Sequence, residues 1–167
     1  RSYSDFSPSF IIAYDAADNV NVYAKAVKGY KTGGFNTRAS TITSFNAGFG
    51  EETLWSYELG LKSQFLNNRV RFNIAAFTSK YRDIQVNVQS DPNDIRKTDV
   101  LNAGRANVKG IEADLTVVPV KGLRLTANYG YLDAKYSKII NAAGQDVADE
   151  FRFANAPKHS YALDATY

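Results

Sequence analysis

The sequence contains no cysteine and no methionine, and it has one tryptophan and one histidine. Without cysteine the chain forms no disulfides and no thiolate metal sites, and it has no cysteine nucleophile. No stretch approaches the ~18 to 20 consecutive apolar residues of a membrane-spanning helix. The formal net charge is +3 and the basic residues are scattered, whereas nucleic-acid-binding domains carry a clustered basic face. The composition therefore argues against helical membrane spans and against nucleic acid as a partner.

Aromatic residues are abundant, with 11 tyrosines and 10 phenylalanines. The mean hydropathy of −0.34 is compatible with a β-barrel in a membrane, because a barrel strand shows lipid on one face only and is half polar. The sequence begins at Arg1, with no methionine and no signal peptide ahead of it. We therefore expect a processed or excised chain.

The stretch 55–88 predicts two long β-strands folded back on each other. Apolar residues occupy the odd positions 55, 57, 59, 61 and 65, and after the turn they occupy the even positions from 70 to 76. This period of two gives each strand one apolar face and one polar face. Asn67 and Asn68 lie between the strands, and asparagine tolerates the left-handed conformations of a tight turn. We expect the second strand to continue, on the same apolar face, through Ile84, Val86 and Val88.

Five further segments alternate in the same way, at 9–15, 20–31, 101–118, 123–135 and 157–167. The connections alternate in length, with short turns at 17–19, 66–69 and 119–122 and long loops at 32–51, 89–99 (containing Pro92) and 138–156. In an up-and-down meander this places every tight turn on one rim, and several strands reach the ~9 to 11 residues that cross a bilayer. We predict an all-β fold, an antiparallel up-and-down meander of about seven long strands that is part of a transmembrane β-barrel.

The polar positions of these strands carry charges that would be costly inside a packed core. In a barrel they would face a hydrated or plugged lumen. Glu58 and Glu112 would also suit an acid/base pair, but a structural charge network with lumen lysines and arginines is the preferred interpretation. We predict that the lumen-facing structural charges are Glu58, Lys62, Arg71, Glu112 and Asp114.

Other classes of protein fit parts of this pattern. A soluble or secreted antiparallel β-sheet protein with a binding or adhesive role would alternate in the same way, with its apolar face packed on another layer. A soluble hydrolase or lectin would need a convergent polar site, which the sequence does not offer. Helices or a second sheet over Leu59, Phe72 and Leu115 would favour these alternatives over a barrel in lipid.

Aromatic residues on the apolar face predict an interfacial girdle at Trp55, Tyr57, Tyr129, Tyr131 and Tyr161, since such rings pair an apolar body with a polar tip. His159 has no spaced partners for a metal site and is assigned to the same membrane rim. No glycine-rich turn opens a helix, so a phosphate cradle at Gly29, Gly33 and Gly34 is not expected. We predict neither enzymatic activity nor a metal or cofactor site.

Four strings of the sequence resemble those of TonB-dependent outer-membrane receptors. Residues 22–36, VYAKAVKGYKTGGFN, resemble the family segment "lYa…s.GyksGgfn", and residues 52–62, ETLWSYELGLK, are similar to its "pE…yElGlKs" strand. Residues 102–112, NAGRANVKGIE, resemble "NaG.a…GvE", and residues 155–159, NAPKH, resemble "naPkh". The strings occur in the family's order, each at a strand that the alternation already predicts.

The resemblance implies a Gram-negative outer-membrane barrel of about 22 strands, filled by an N-terminal plug. Such a receptor imports ferric siderophores, cobalamin or glycans with energy relayed by TonB. Residues 1–167 would be an internal part of the barrel domain without the plug, so TonB would act through the missing N-terminal part. The expected partners are outer-membrane lipid and an imported ligand such as an iron-siderophore complex. Ligand contacts are expected in the long loops, with candidates Phe35, Phe45, Phe49, Phe151 and Phe153.

Overall fold

The computed structural model describes residues 2–39, 41–89, 94, 96–141 and 144–167. Seven strands form one sheet in the order β1-β2-β3-β4-β5-β6-β7, and each is antiparallel to its neighbours. The elements are β1 Ser9–Ala17, β2 Val20–Lys31, α1 Ile42–Ala47, β3 Glu52–Phe65, β4 Val70–Gln89, β5 Thr98–Val117, β6 Arg124–Ile139, a 3₁₀ turn Ala148–Glu150 and β7 His159–Thr166. The predicted up-and-down meander is confirmed.

Tight turns join β1 to β2, β3 to β4 and β5 to β6, and they lie at one end of the sheet. In the β3–β4 turn, Leu66, Asn67 and Asn68 all have positive φ, at 53°, 55° and 65°. Asparagine reaches this left-handed region at lower cost than most residues, which explains the predicted turn. In the β5–β6 turn, Gly122 has a φ of 94°. The longer connections lie at the opposite end of the sheet.

The register confirms that the sheet has two chemically different faces. Leu61 lies opposite Val22 of β2 and Ile74 of β4, and residues opposite each other point to the same side. The apolar face continues into β5, where Ile111 lies opposite Ala76. We call this side the apolar face and the other side, which carries Glu58, the polar face.

The expectation that β4 keeps one parity through Val88 is wrong. Arg82 lies opposite Arg105, but Ile84 lies opposite Gly104, so the pairing advances two residues on β4 and one on β5. Asp83, with a φ of 56°, is the extra residue, and an extra residue moves the following side chains to the other side of the sheet. Ile84, Val86 and Val88 therefore lie on the polar face.

The strands are longer than the alternation predicts. β4 and β5 have 20 residues each, and β6 continues to Ile139. The predicted loop 89–99 is correspondingly shorter, since both of its terminal residues belong to strands. Pro92, on which that loop prediction partly depended, lies outside the described residues. The predicted loop 32–51 contains α1, whose first turn is capped by Thr41: its Oγ1 accepts a hydrogen bond from Ser44 N at 3.1 Å.

No second layer covers the sheet within the part of the chain that the structure describes. Leu59 is 65% exposed and Leu115 is 37% exposed, so neither helix nor sheet packs over the apolar face. The described residues thus contain no layer of the kind that would favour the soluble alternatives. Among the described residues, no helix is long and apolar enough to span a membrane.

Candidate functional site

A charge network on the polar face is centred on Glu58 of β3. Its Oε2 atom lies 2.8 Å from Lys25 Nζ, and its Oε1 atom accepts a hydrogen bond of 2.7 Å from Tyr23 Oη. Lys62 Nζ lies 5.4 Å from the centroid of the Tyr23 ring, within the range of a cation–π contact. The carboxylate of Glu58 is therefore paired and hydrogen-bonded by β2, as expected for a structural charge.

Gly60 makes this network sterically possible. It lies directly opposite Tyr23, and a Cβ at position 60 would collide with the tyrosine ring at Cε1, Cζ and Oη. The ring lies across the glycine and so reaches Glu58 two residues away. Phe77 covers Gly110 in the same way between β4 and β5. Sequence reasoning identified the charges but not the glycines that admit the rings.

The other predicted charges share this face. Lys62 and Asp114 lie on either side of Asn73, and Glu112 lies opposite Ala75. A shallow cleft of about 190 Å³ is lined by Glu58, Lys62, Glu112 and Asp114 among others. Arg71 lines a neighbouring cleft near the tight turns, together with Lys62. That this face is the lumen wall stays a prediction.

The candidate loop aromatics form two clusters, which we call the first-loop cluster and the third-loop cluster. In the first-loop cluster, the Phe35 and Phe45 rings stack with centroids 5.5 Å apart. Phe49 pairs with Gly34 in an isolated antiparallel bridge, and its ring lies where a Cβ on Gly34 would be. Phe49 is thus a structural residue of the loop, whereas the Phe35–Phe45 pair is exposed.

The third-loop cluster joins Phe151 and Phe153 to Tyr136 of β6. Phe153 stacks on Tyr136 at 4.3 Å, nearly parallel, and Phe151 meets the tyrosine ring edge-on at 6.4 Å. Sequence reasoning missed Tyr136. The sequence did contain a signal for it: Tyr136 continues the polar-face positions of β6 beyond Ala134, and an aromatic residue there lies near the long-loop end of the sheet.

Amide side chains attach the first loop to the strands beside it. Asn102 Nδ2 donates to the carbonyl oxygens of Gly50, Glu51 and Asp83, and its Oδ1 accepts from Gly50 N at 2.6 Å. Asn36, which is almost fully buried, accepts from Val100 N at 2.7 Å. The bonds of Asn102 to Gly50 and Glu51 and of Asn36 to Val100 span more than 50 residues, and the bond to Asp83 spans 19, so no local pattern predicts them. They hold the first-loop cluster against β5.

The third loop is clamped by Asp146. Its Oδ1 accepts hydrogen bonds from the backbone N–H of Ile139 at 3.0 Å and of Ala148 at 3.1 Å. These two bonds favour the ionised carboxylate and hold the pKa of Asp146 below its ordinary value. The clamp connects the end of β6 to the 3₁₀ turn, from which the third-loop cluster follows.

The predicted interfacial aromatics lie on the apolar face, where Tyr57, Tyr129 and Tyr161 are exposed and Trp55 and Tyr131 are half-buried. Trp55 and Tyr57 stack at 5.9 Å, and Tyr129 Oη lies 3.0 Å from His159 Nδ1. The described residues contain no group of three or more histidine, cysteine, aspartate or glutamate side chains that could hold a metal. The His159 ring contacts the rings of Tyr129 and Tyr131 on β6.

Curated relatives match nearly the whole chain. The metal-pseudopaline receptor CntO of Pseudomonas aeruginosa is 29% identical over 161 residues, which is 96% of this chain and 20% of the receptor. The probable TonB-dependent siderophore receptor PiuA of Acinetobacter baumannii is 25% identical over 166 residues, covering 93% of this chain and 21% of the receptor. The chain thus spans about a fifth of the length of these relatives.

Solved structures share the fold. The ferric yersiniabactin uptake receptor FyuA of Yersinia pestis superposes with a TM-score of 0.67 at 19% identity, over 94% of this chain and 22% of that chain. The ferripyoverdine receptor of the outer membrane of Pseudomonas aeruginosa gives 0.65 at 18% identity, over 100% of this chain and 21% of that chain. The meander is therefore one segment of a known type of β-barrel.

A family model described as TonB dependent receptor-like, beta-barrel, matches residues 1–167. The match covers every element of the sheet, and it agrees with the four strings of sequence that resemble this family. The chain therefore belongs to the TonB-dependent receptor β-barrel family of the Gram-negative outer membrane.

Proposed function

We propose that this chain forms part of the barrel wall of a receptor that takes up a metal–siderophore complex across the outer membrane. The observation that carries the proposal is the two-faced meander of a family member, with its long connections gathered at one end. The names of the curated relatives, a metal-pseudopaline receptor and a probable siderophore receptor, support this class of ligand. Their names do not point to cobalamin or glycans.

In this proposal the apolar face contacts lipid and the polar face lines the lumen. Leu61, Ile74 and Ala113 follow one another across three strands on the apolar face, as the lipid side of a barrel requires. On the opposite side, the Glu58 network ties β2 to β3 with charged groups that a hydrated lumen tolerates. The network thereby stiffens the wall and takes no part in a reaction.

We assign ligand contact to the two aromatic clusters at the long-loop end. The third-loop cluster combines a stacked pair and an edge-on ring around Tyr136, and such rings offer large contact surfaces at little conformational cost. The hydrogen bonds of Asn102 and Asp146 hold both loops in place before a ligand arrives. The proposed role is binding and transport without a bond-making step. Contact with TonB is assigned to another part of the receptor.

Uptake by the complete receptor tests the proposal. The host strain lacks its own copy of the receptor gene. The probe is radioactive iron bound to siderophore from iron-starved culture medium of the same organism. We expect uptake to return with the receptor and to require energised cells. Phe153→Ala should lower the apparent affinity by about 2- to 10-fold, the equivalent of one lost ring pair.

Tyr161→Ala is the matched control, because it removes an exposed aromatic ring from the apolar face and should leave the affinity unchanged. Equal amounts of each variant in the outer membrane must be verified by immunoblotting. Uptake that does not depend on the receptor would overturn the proposed function. Equal effects of the two variants would overturn the assignment of the ligand contact to the third-loop cluster.

A further inference from the structure

The chain before β1 lies against the end of β2. Pro8 O accepts a hydrogen bond of 3.0 Å from Lys28 N, and Lys28 Nζ pairs with the carboxylate of Asp5 and donates to Phe6 O at 3.3 Å. We call residues 2–8 the pre-β1 segment. Because β1 runs from the long-loop end towards the tight turns, this segment lies at the end of the sheet that carries the first loop.

The first loop leaves the sheet through a narrow base. Gly34 N donates to Phe49 O at 3.0 Å, and Phe49 N donates to Gly34 O at 2.9 Å. We call Gly33, Gly34 and Phe49 the loop base. Phe35 follows the base directly, and α1, which carries Phe45, ends two residues before Phe49. The base therefore fixes the two points from which the chain reaches the stacked Phe35–Phe45 pair.

Tyr3 of the pre-β1 segment closes over the loop base. Its Oη donates a hydrogen bond of 3.0 Å to Phe49 O, which also accepts from Gly34 N. A Cβ on Gly33 would lie 2.6 Å from both Cζ and Oη of Tyr3, so the tyrosine ring occupies space that only a glycine leaves free. Tyr3 thus connects the chain before β1 to the loop base.

The other flank of the first loop is attached to β4 and β5. Gln85 Nε2 donates to Thr32 O at 2.8 Å and to Gly50 O at 3.1 Å, and Asn102 Oδ1 accepts from Gly50 N. Side chains from both directions therefore hold the loop where it leaves the sheet. Removal of Tyr3 would release one flank and leave the other in place, so the loop would stay attached while its position would vary.

We propose that Tyr3 is a positioning residue of the ligand site: it holds the loop base so that the Phe35–Phe45 pair stands ready for the metal–siderophore complex. Phe35 and Phe45 are 44% and 39% exposed, whereas Tyr3 is half-buried and bonded within the protein. A site that is ordered before the ligand arrives avoids the cost of ordering it on binding. The inference rests on the proposed function, which assigns ligand contact to the first-loop cluster.

The test measures uptake by the complete receptor over a range of concentrations of radioactive iron bound to siderophore from iron-starved culture medium. Tyr3→Ala should raise the half-saturating concentration about 3- to 10-fold, because a site that is correctly positioned for only a fraction of the time binds more weakly by that fraction. The maximal rate should be unchanged, since bound ligand restores the position of the loop. Tyr3→Phe keeps the ring and loses one hydrogen bond, and it should recover most of the affinity.

Double variants show whether Tyr3 acts through the first loop. In a Phe45→Ala receptor, which has already lost the stacked pair, Tyr3→Ala should not change the half-saturating concentration further. In a Phe153→Ala receptor, which is altered in the third-loop cluster, Tyr3→Ala should have its full effect, because independent sites contribute additively. Tyr14→Ala is the matched control: it removes an exposed tyrosine ring from β1 and should leave uptake unchanged.

Hydrogen exchange of the purified receptor in lipid vesicles is a second measurement, made without ligand. Tyr3→Ala should speed the exchange of the Gly34 and Phe49 amides, whose hydrogen bonds close the loop base. The amides of β3 should exchange as in the wild type. Unchanged exchange at the loop base would contradict the role of Tyr3 there.

An unchanged half-saturating concentration in Tyr3→Ala would overturn the inference. A lower maximal rate alone, at equal amounts of receptor in the outer membrane, would also overturn it, because that result indicates a merely structural role. The same holds if Tyr3→Ala has equal effects in the Phe45→Ala and Phe153→Ala receptors. Uptake that does not depend on the wild-type receptor would instead contradict the proposed function, so the two failures are distinguishable.

Discussion

Substituting Leu61 by arginine tests directly whether lipid or water solvates the apolar face. Leu61 lies near the middle of the apolar positions of β3, between Val22 and Ile74. Both neighbours are aliphatic, so a guanidinium group at this position has no carboxylate opposite it. In water an exposed arginine on such a surface would change the stability little.

The expected magnitude follows from the depth of Leu61 in the proposed barrel. Arginine on the lipid face at the bilayer midplane costs about 2 to 4 kcal/mol, which corresponds to roughly a 30- to 700-fold change in the folding equilibrium. The cost arises because the charge must be desolvated or must draw water and headgroups into the hydrocarbon. Near the membrane interface the same substitution would cost only about 0 to 1 kcal/mol.

The measurement is the free energy of unfolding of the complete receptor in phosphatidylcholine vesicles, obtained from urea titrations of Leu61→Arg and the wild type. Asn73→Arg is the matched control. It introduces the same side chain on the polar face, where Lys62 and Asp114 lie opposite, and it should cost less than about 1 kcal/mol. Equal costs for the two variants would refute the assignment of the apolar face to lipid.

Three further predictions concern the polar face and the loops. Gly60→Ala should lower the free energy of unfolding by about 1 to 3 kcal/mol, because the methyl group of the alanine displaces the Tyr23 ring. Tyr23→Phe, which removes one hydrogen bond, should lower it by less. Urea titration measures both losses. Asn102→Ala should make the first loop cleavable by added protease while the sheet's circular dichroism is unchanged, and an equally resistant loop would contradict the attachment by Asn102. Above the ordinary carboxyl pKa of about 4, the ionised Asp146 should hold its two backbone hydrogen bonds, and these bonds should be lost as the pH falls through the lowered pKa of Asp146. Hydrogen exchange of the Ile139 amide should show this pH dependence in the wild type and not in Asp146→Asn.

The alternation of polarity was sufficient to predict the sheet and its two faces. Leu61 and Ile74 were assigned to one side from sequence alone, and the register places them opposite each other. The asparagine pair between the strands predicted the turn in the same way. These features depend on local residue order, which the sequence shows directly.

The bulge at Asp83 could not be predicted from polarity. Ile84, Val86 and Val88 are apolar and continue the even parity of β4, so the pattern contains no sign that the side chains change face. The shift depends on one backbone dihedral angle, the positive φ of Asp83. A bulge is therefore visible only in the pairing with β5.

The candidate ligand site was predicted only as a region. The loop phenylalanines were identified from the sequence, but their separation into two clusters and the role of Tyr136 depend on contacts between a strand and a distant loop. The bonds of Asn102 likewise join residues that are far apart in the chain. Such contacts have no local periodicity, and hence they emerge only from the three-dimensional arrangement.

Within the described residues, β1 and β7 each pair with one neighbouring strand. In a closed barrel the other side of each strand must also be paired, because each unpaired backbone N–H or C=O group costs several kcal/mol inside hydrocarbon. These strands therefore cannot enter a bilayer stably until neighbouring strands complete their hydrogen bonds. Insertion of this segment must then be coupled to strand pairing, so a mutation that delays pairing at either margin would trap the chain at the membrane surface.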